Sequence, residues 1–225
     1  MKRMLKIILL AVPVLCLVSL AWRYAPFFLR PSPHKTYYPD SVYREELHAL
    51  NDSLGHASLR RRSLLLHSAV SERIFPFWEG TPWDFNGTTE RPGNGKIACG
   101  YFVTTVLRDL GFVTQRKELA CMASEQMIRD LVAEKNIRRY SRFTLTDFLK
   151  DVRKKGNQLY VVGLDNHTGF LSCENGQCWF IHASGGYRRC VIKEKAETSS
   201  ALAFSSYRVT GCLTSDSLFL AGWKK

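Results

Sequence analysis

Nowhere in this chain do two cysteines stand in a Cys-x-x-Cys pair, so the ligand spacing of structural zinc sites is missing. Zinc-finger, RNA-recognition and basic-heptad patterns are missing too, and no nucleic-acid partner is expected. There is no internal repeat and no low-complexity segment, which excludes a repeat array or a tether as the main architecture. Acid is in short supply: 20 Asp+Glu stand against 32 Lys+Arg, a formal net charge of +12. A surface of that sign either draws anionic partners, acidic lipid headgroups and acidic polymers among them, or is simply solvated. The chain has no need of disulfides to fold. Its 225 residues, 45% hydrophobic and 23% charged, can bury a substantial core.

Long apolar runs are also rare, and the one at the N-terminus bears on the compartment. Lys2, Arg3 and Lys6 precede an apolar stretch from Ile7 to Trp22, broken only by Pro13 and Ser19. That order predicts a signal peptide or membrane anchor over residues 1–22. Ser19-Leu20-Ala21 offers a small-x-small cleavage site, and the run is near the lower end of spanning length for an uncleaved anchor. The basic flank predicts the N-terminus inside and the domain outside. The expected location is therefore the periplasm or cell envelope, with the chain either held in the inner membrane or secreted after cleavage. Cys16 follows bulky Leu15, where a lipoprotein signal would have a small residue.

Prolines 26, 31, 33 and 39 mark residues 23–40 as an extended linker. Val42, Leu47, Leu50 and Leu54 recur at helical spacing up to Gly55. A second helix is predicted from Ser58 to Phe75, stopping before Pro76. Residues 41–75 thus form a helical lead-in to a domain over 76–225. Residues 77–96, rich in Gly, Pro, Thr and Asn, read as a long loop ordered by Trp78, Trp83 and Phe85. Helices follow near 96–110, 124–134 and 144–156, the last opened by the capping pattern Thr144-Leu145-Thr146-Asp147. The period then changes. Strands are predicted over 158–164, 167–173, 178–183, 189–193 and 207–213, with a short helix near 197–204. Helices first and an antiparallel sheet of about five strands second make an α+β domain.

Asn175-Gly176 reads as a two-residue hairpin turn. Glu174 then pairs with Gln177, and Cys173 faces Cys178 in the next, closely spaced pair. Those thiols are either joined across the strands or buried and reduced.

Cys99, in Ile97-Ala98-Cys99-Gly100-Tyr101-Phe102-Val103, is placed at a helix start. His167 follows Asp165-Asn166 at a turn between strands, and His182 falls on the neighbouring strand. A helix-borne thiol followed by two strand-borne imidazoles is the layout of a cysteine hydrolase. The helix N-terminus and a nearby imidazolium are both expected to favour the thiolate. Counting from the turn, a bulge or a terminal twist is expected to bring both imidazoles onto one face. His34, His48, His56 and His67 read as surface residues.

The run Gly80-Thr81-Pro82-Trp83-Asp84-Phe85-Asn86-Gly87, then Cys99-Gly100-Tyr101-Phe102-Val103, His167-Thr168-Gly169-Phe170 and Phe180-Ile181-His182-Ala183-Ser184, resembles the NlpC-type cysteine peptidase family over about residues 76–215. These are papain-like enzymes that cut amide bonds in bacterial cell-wall peptides. The resemblance implies a papain-like fold with Cys99 as nucleophile, His167 as general base and acid, and His182 as the orienting residue. It also implies substrate contacts at Trp83, Asp84 and Gly100, with the oxyanion held by the Cys99 N–H and the Trp83 side chain. The family has Asp where Ala98 stands, Ser at Gly100 and Tyr at Trp83, which points to altered specificity rather than lost activity. No metal and no cofactor are implied, and a monomer is expected. The partners expected are a cell-wall peptide and, through the N-terminal segment, a membrane. Two other readings compete: a papain-like acyltransferase or lipid-amide hydrolase, and a non-catalytic wall-binding domain.

Overall fold

The computed structural model describes residues 38–186 and 188–223. The predicted signal or anchor over 1–22, most of the linker, Cys16 and His34 lie outside the described residues. Among the described residues no helix is long and apolar enough to cross a membrane.

Helix α1 (Asp40–Gly55) opens with an acid in its first turn, where the helix dipole favours one. It buries Tyr43, Leu50 and Leu54 along one stripe, while Val42 faces solvent. Helix α2 (Leu59–Ser68) is capped by the Ser58 side chain, which accepts the Arg61 N–H. A π-helical turn (Ala69–Ile74) then leads directly into α3 (Phe75–Trp78). The predicted stop before Pro76 is thus wrong. Proline sits in the first turn of the new helix, where its missing N–H would have had no intrahelical partner. His67, predicted at the surface, is buried, with Nε2 3.1 Å from the Ser172 hydroxyl.

Helices α4 (Cys99–Asp109), α5 (Arg116–Ala120) and α6 (Ser124–Leu131) follow. Gly111, at φ 76°, closes α4, with its N–H and that of Phe112 turned back to the Arg108 and Leu107 carbonyls. Trp78, Phe102 and Phe170 contact edge to face and tie α3, α4 and the sheet together. Tyr43 donates to Asp109 at 2.7 Å and accepts from Trp78 Nε1 at 3.1 Å, which adds α1 to the same group.

The sheet has six antiparallel strands in the order β1-β6-β2-β3-β4-β5. They are β1 (Ile137–Ser141), β2 (Gln158–Leu164), β3 (Thr168–Glu174), β4 (Gln177–Ala183), β5 (Val191–Lys195) and β6 (Tyr207–Cys212). The sequence predicts about five; the addition is β1, at the sheet edge. Only Tyr140 of β1 is buried, so the strand carries no alternating apolar signal. Helix α7 (Leu145–Arg153) is capped as predicted, with Thr144 accepting the Asp147 N–H at 3.1 Å. Two short helices, α8 (Ser200–Phe204) and α9 (Ser217–Ala221), are the last two α-helices among the described residues.

Helices cover both faces of the sheet, which is why Leu159–Leu164 is buried throughout instead of alternating. Val161, Phe170, Ile181 and Val191 pack with α1, α2, α4 and α6. Tyr160, Leu171, Phe180 and Cys212 face the other way, towards Phe148, Leu149 and Val152 of α7. The architecture is thus mixed helix and sheet, with the helical lead-in sharing the core of the domain it precedes.

Candidate active site

The β3–β4 hairpin has the register the sequence predicts. Glu174 pairs with Gln177 across Asn175 (φ 51°) and Gly176 (φ 78°), and Cys173 pairs with Cys178. Those cysteines are joined in a disulfide, with Cα atoms 4.1 Å apart. The same pairing runs without interruption to Phe170 opposite Ile181. One step further, Gly169 lies opposite His182, and a Cβ on Gly169 would stand 2.7 Å from the His182 Cβ. His167 is two residues before Gly169, so alternation alone puts His167 and His182 on one face. The bulge or twist expected from the sequence is not needed for this, because the two positions differ in the pairing by an even step.

His167 Nε2 lies 2.7 Å from His182 Nδ1, and the rings cross nearly edge to face at 4.9 Å. His182 stacks on Phe180 at 4.2 Å and is only 1% exposed. Its other nitrogen, Nε2, is 3.2 Å from a carboxylate oxygen of Glu194. A hydrogen-bonded line therefore runs His167–His182–Glu194 across β3, β4 and β5.

The sequence does not single out Glu194. It sits in Lys193-Glu194-Lys195, which reads as a solvated charge run. The available signal is period and register. Ile192 pairs with His182, so Glu194, two residues on, is the diagonal neighbour on the same face.

Cys99 is half-buried at the first position of α4. Ala98, the residue before it, supplies no side-chain cap to the first turn. A missing cap costs about 1 kcal/mol. Burial of Phe102 and Val103 contributes roughly 1.5–3 kcal/mol each, so packing and not capping fixes where α4 begins. The Cys99 sulfur accepts from the backbone N–H of Thr168, the residue after His167, and from that of Gly100. Among the described residues no hydrogen bond joins the sulfur to either ring. His167 Nε2 is committed to His182, which leaves Nδ1 as the nitrogen able to exchange a proton with a thiol.

The electrostatics differ from the expected ion pair. Burial pushes the Cys99 thiol up, and the N–H groups of Thr168 and Gly100 offset this only in part. Burial, with the nearby His182 ring, pushes His167 down to about 3. Burial also lowers His182, against the pull of Glu194. The resting partners are a neutral thiol and neutral imidazoles. Burial tends to raise the Glu194 carboxyl, but the donated bonds from His182 and Ser199 together hold it below the usual range.

Trp83 runs beside Ile97, two residues before Cys99, and its ring packs on Gly185, just beyond β4. The Arg189 guanidinium lies over that ring at 4.9 Å. The indole Nε1 is buried and has no hydrogen-bond partner among the described residues. Asp84 is turned to its own loop, accepting the Asn86 N–H at 3.0 Å and pairing with Lys96 at 3.1 Å. Gly100 is required by packing, since a Cβ there would meet the Ala120 carbonyl oxygen at 2.5 Å. The loop from Gly80 to Trp83 is bonded along Arg189–Val191, which brings it to the β5 end of the site. Among the described residues no group of three or more His, Cys, Asp or Glu side chains is placed to hold a metal ion.

Comparison with protein-family models, with curated proteins and with solved structures found no significant match.

Proposed function

We propose that this chain is an exported, papain-like cysteine hydrolase of NlpC type that cleaves amide bonds in cell-wall stem peptides. The observation that carries the reading is the 2.7 Å contact between His167 and His182 beside the strand residue whose N–H meets the Cys99 sulfur. Cys99 is the nucleophile. Its S–H proton passes to His167 Nδ1 as the sulfur attacks the scissile carbonyl carbon. The oxyanion takes the Cys99 N–H at the uncapped start of α4. Protonated His167 gives its proton to the leaving amine as the C–N bond breaks, and water then hydrolyses the thioester with the same ring as base. His182 holds that ring in place. Nucleophile–base contacts are often loose in resting sites and close in the working complex.

Trp83, Asp84 and Gly100 border the substrate in this reading, and the basic surface suits an anionic wall polymer. The test is mass analysis of defined muropeptides after incubation with wild type and with Cys99→Ala. Release of a free amine by wild type and not by the variant is the expected result. Wall fragments bound equally by both proteins, with no turnover, would replace the hydrolase by a binding domain.

A further inference from the structure

We propose that Glu194 is a positioning residue that fixes the protons on both imidazoles, so that the Nδ1 of His167 is left bare and, in the hydrolase reading, free to take the Cys99 proton. The inference rests on the hydrolase reading for its purpose, but its geometry stands by itself.

The His167–His182 contact joins two ring nitrogens at 2.7 Å, so one of them carries the proton and the other accepts it. Two arrangements are possible for neutral rings. In the first, His167 carries its proton on Nε2 and donates to a bare His182 Nδ1. His182 then carries its proton on Nε2, and His167 Nδ1 is bare. In the second, His182 carries its proton on Nδ1 and donates to His167 Nε2. His167 Nδ1 is then occupied and cannot accept a thiol proton, while His182 Nε2 is bare.

Glu194 decides between them. Its carboxylate is 3.2 Å from His182 Nε2 and, when ionised, can only accept. The first arrangement places an N–H against that oxygen. The second places a lone pair against it on a ring that is 1% exposed, where no water competes for the site. The carboxylate therefore selects the first arrangement at His182, and the short ring–ring bond passes the selection on to His167. The one basic lone pair left is the nitrogen that the thiol needs. The proton balance closes: S–H breaks, Nδ1–H forms, and the positive charge on His167 lies in line with the negative charge on Glu194.

The imidazole ¹⁵N spectrum of the full chain tests this directly. In wild type both rings should show a protonated Nε2 and a bare Nδ1. Glu194→Gln keeps the shape but adds an N–H that can donate to His182 Nε2, so it should populate both arrangements. Glu194→Leu removes the acceptor and donates nothing, so it should likewise let both arrangements populate. Alkylation of Cys99 by iodoacetamide should slow in both variants in proportion to the first arrangement lost, about twofold where the two are equally populated. A protonated His182 Nδ1 in wild type would overturn the proposal without any variant. So would a leucine variant that folds and keeps the wild-type ¹⁵N pattern. If the wild-type pattern is as stated but muropeptides are not cleaved, the proton arrangement stands and the hydrolase reading fails, so the two are separable.

Discussion

The two ends of the β3–β4 hairpin are built from the same pair of strands by opposite means. At the turn end, a covalent bond between Cys173 and Cys178 closes the pair among apolar residues. At the open end, His167 and His182 are joined only by hydrogen bonds, with Glu194 behind them. A covalent closure holds position and has no protons to move. A hydrogen-bonded line holds position less firmly but has alternative proton placements, which is what acid–base work needs. The comparison predicts that damage at the turn end appears as lost stability, and damage at the open end as lost turnover.

The largest effect expected is that of Cys99→Ala on muropeptide cleavage. Turnover should become unmeasurable, while the denaturation midpoint corresponds to a change within about 1 kcal/mol, because the removed sulfur is only half-buried. A large stability loss with retained turnover would reverse the assignment of this end.

The two rings should then separate rate from stability. His167→Ala removes the proton carrier and should lower kcat by about 10²- to 10⁴-fold. His182→Ala should lower it less, because an orienting group contributes less than the proton carrier. The stability order is the reverse. His182→Ala also strips the N–H donor from Glu194 and should cost about 2 kcal/mol or more. His167, half-buried at the strand start, should cost less. Urea titrations of both variants beside their kcat values check the crossing.

Acid should act through the buried imidazoles, two at the open end and one, His67, beside Ser172 near the turn end. His67, His167 and His182 are all held below the usual imidazole value, with burial the leading cause in each. The unfolded chain therefore binds more protons than the folded one once the pH falls below about 6.5. Their contribution to stability is present above that value and declines towards the folded value, about 3 for His167. Glu194, also lowered, adds its own loss below the ordinary carboxylate range. Denaturation midpoints measured from pH 7.5 to 4 should fall steadily. A flat profile would mean that the rings are not buried as neutral groups.

How much of this could be read beforehand depended on whether the signal was local. Asn175-Gly176 set the hairpin register, and with it the Cys173–Cys178 pair, because a turn and its flanking residues are neighbours in the chain. Thr144 and Gly111 marked helix ends for the same reason. Strand β1 was hidden because an edge strand with one buried side chain has no periodic apolar pattern. The helix running past Pro76 was hidden because proline there falls in the first turn of a new helix, where its missing N–H breaks no bond. In the candidate site, the placement of Cys99 at a helix start, His167 at a turn and His182 on a strand was legible from local context. Glu194 was not, since its role arises from strand pairing and a lysine-flanked acid looks solvated. The charge state was misjudged because burial, which raises Cys99 and lowers His167, is a property of the packed domain.

The smallest effect, and the sharpest test of the comparison, comes from the turn end. Cys173→Ala with Cys178→Ala opens a bridge between residues five apart in sequence. By chain entropy such a short loop stabilises the fold by about 2 kcal/mol, near the low end for disulfides. The turn itself keeps the strands in register, since Asn175 and Gly176 supply its positive φ values without the bond. The variant should therefore unfold at a lower denaturant concentration yet cleave muropeptides at the wild-type kcat well below its transition. If kcat instead falls while the midpoint holds, the covalent bond is what aligns His167 with His182, and the hairpin must be treated as one rigid unit rather than two ends with separate tasks.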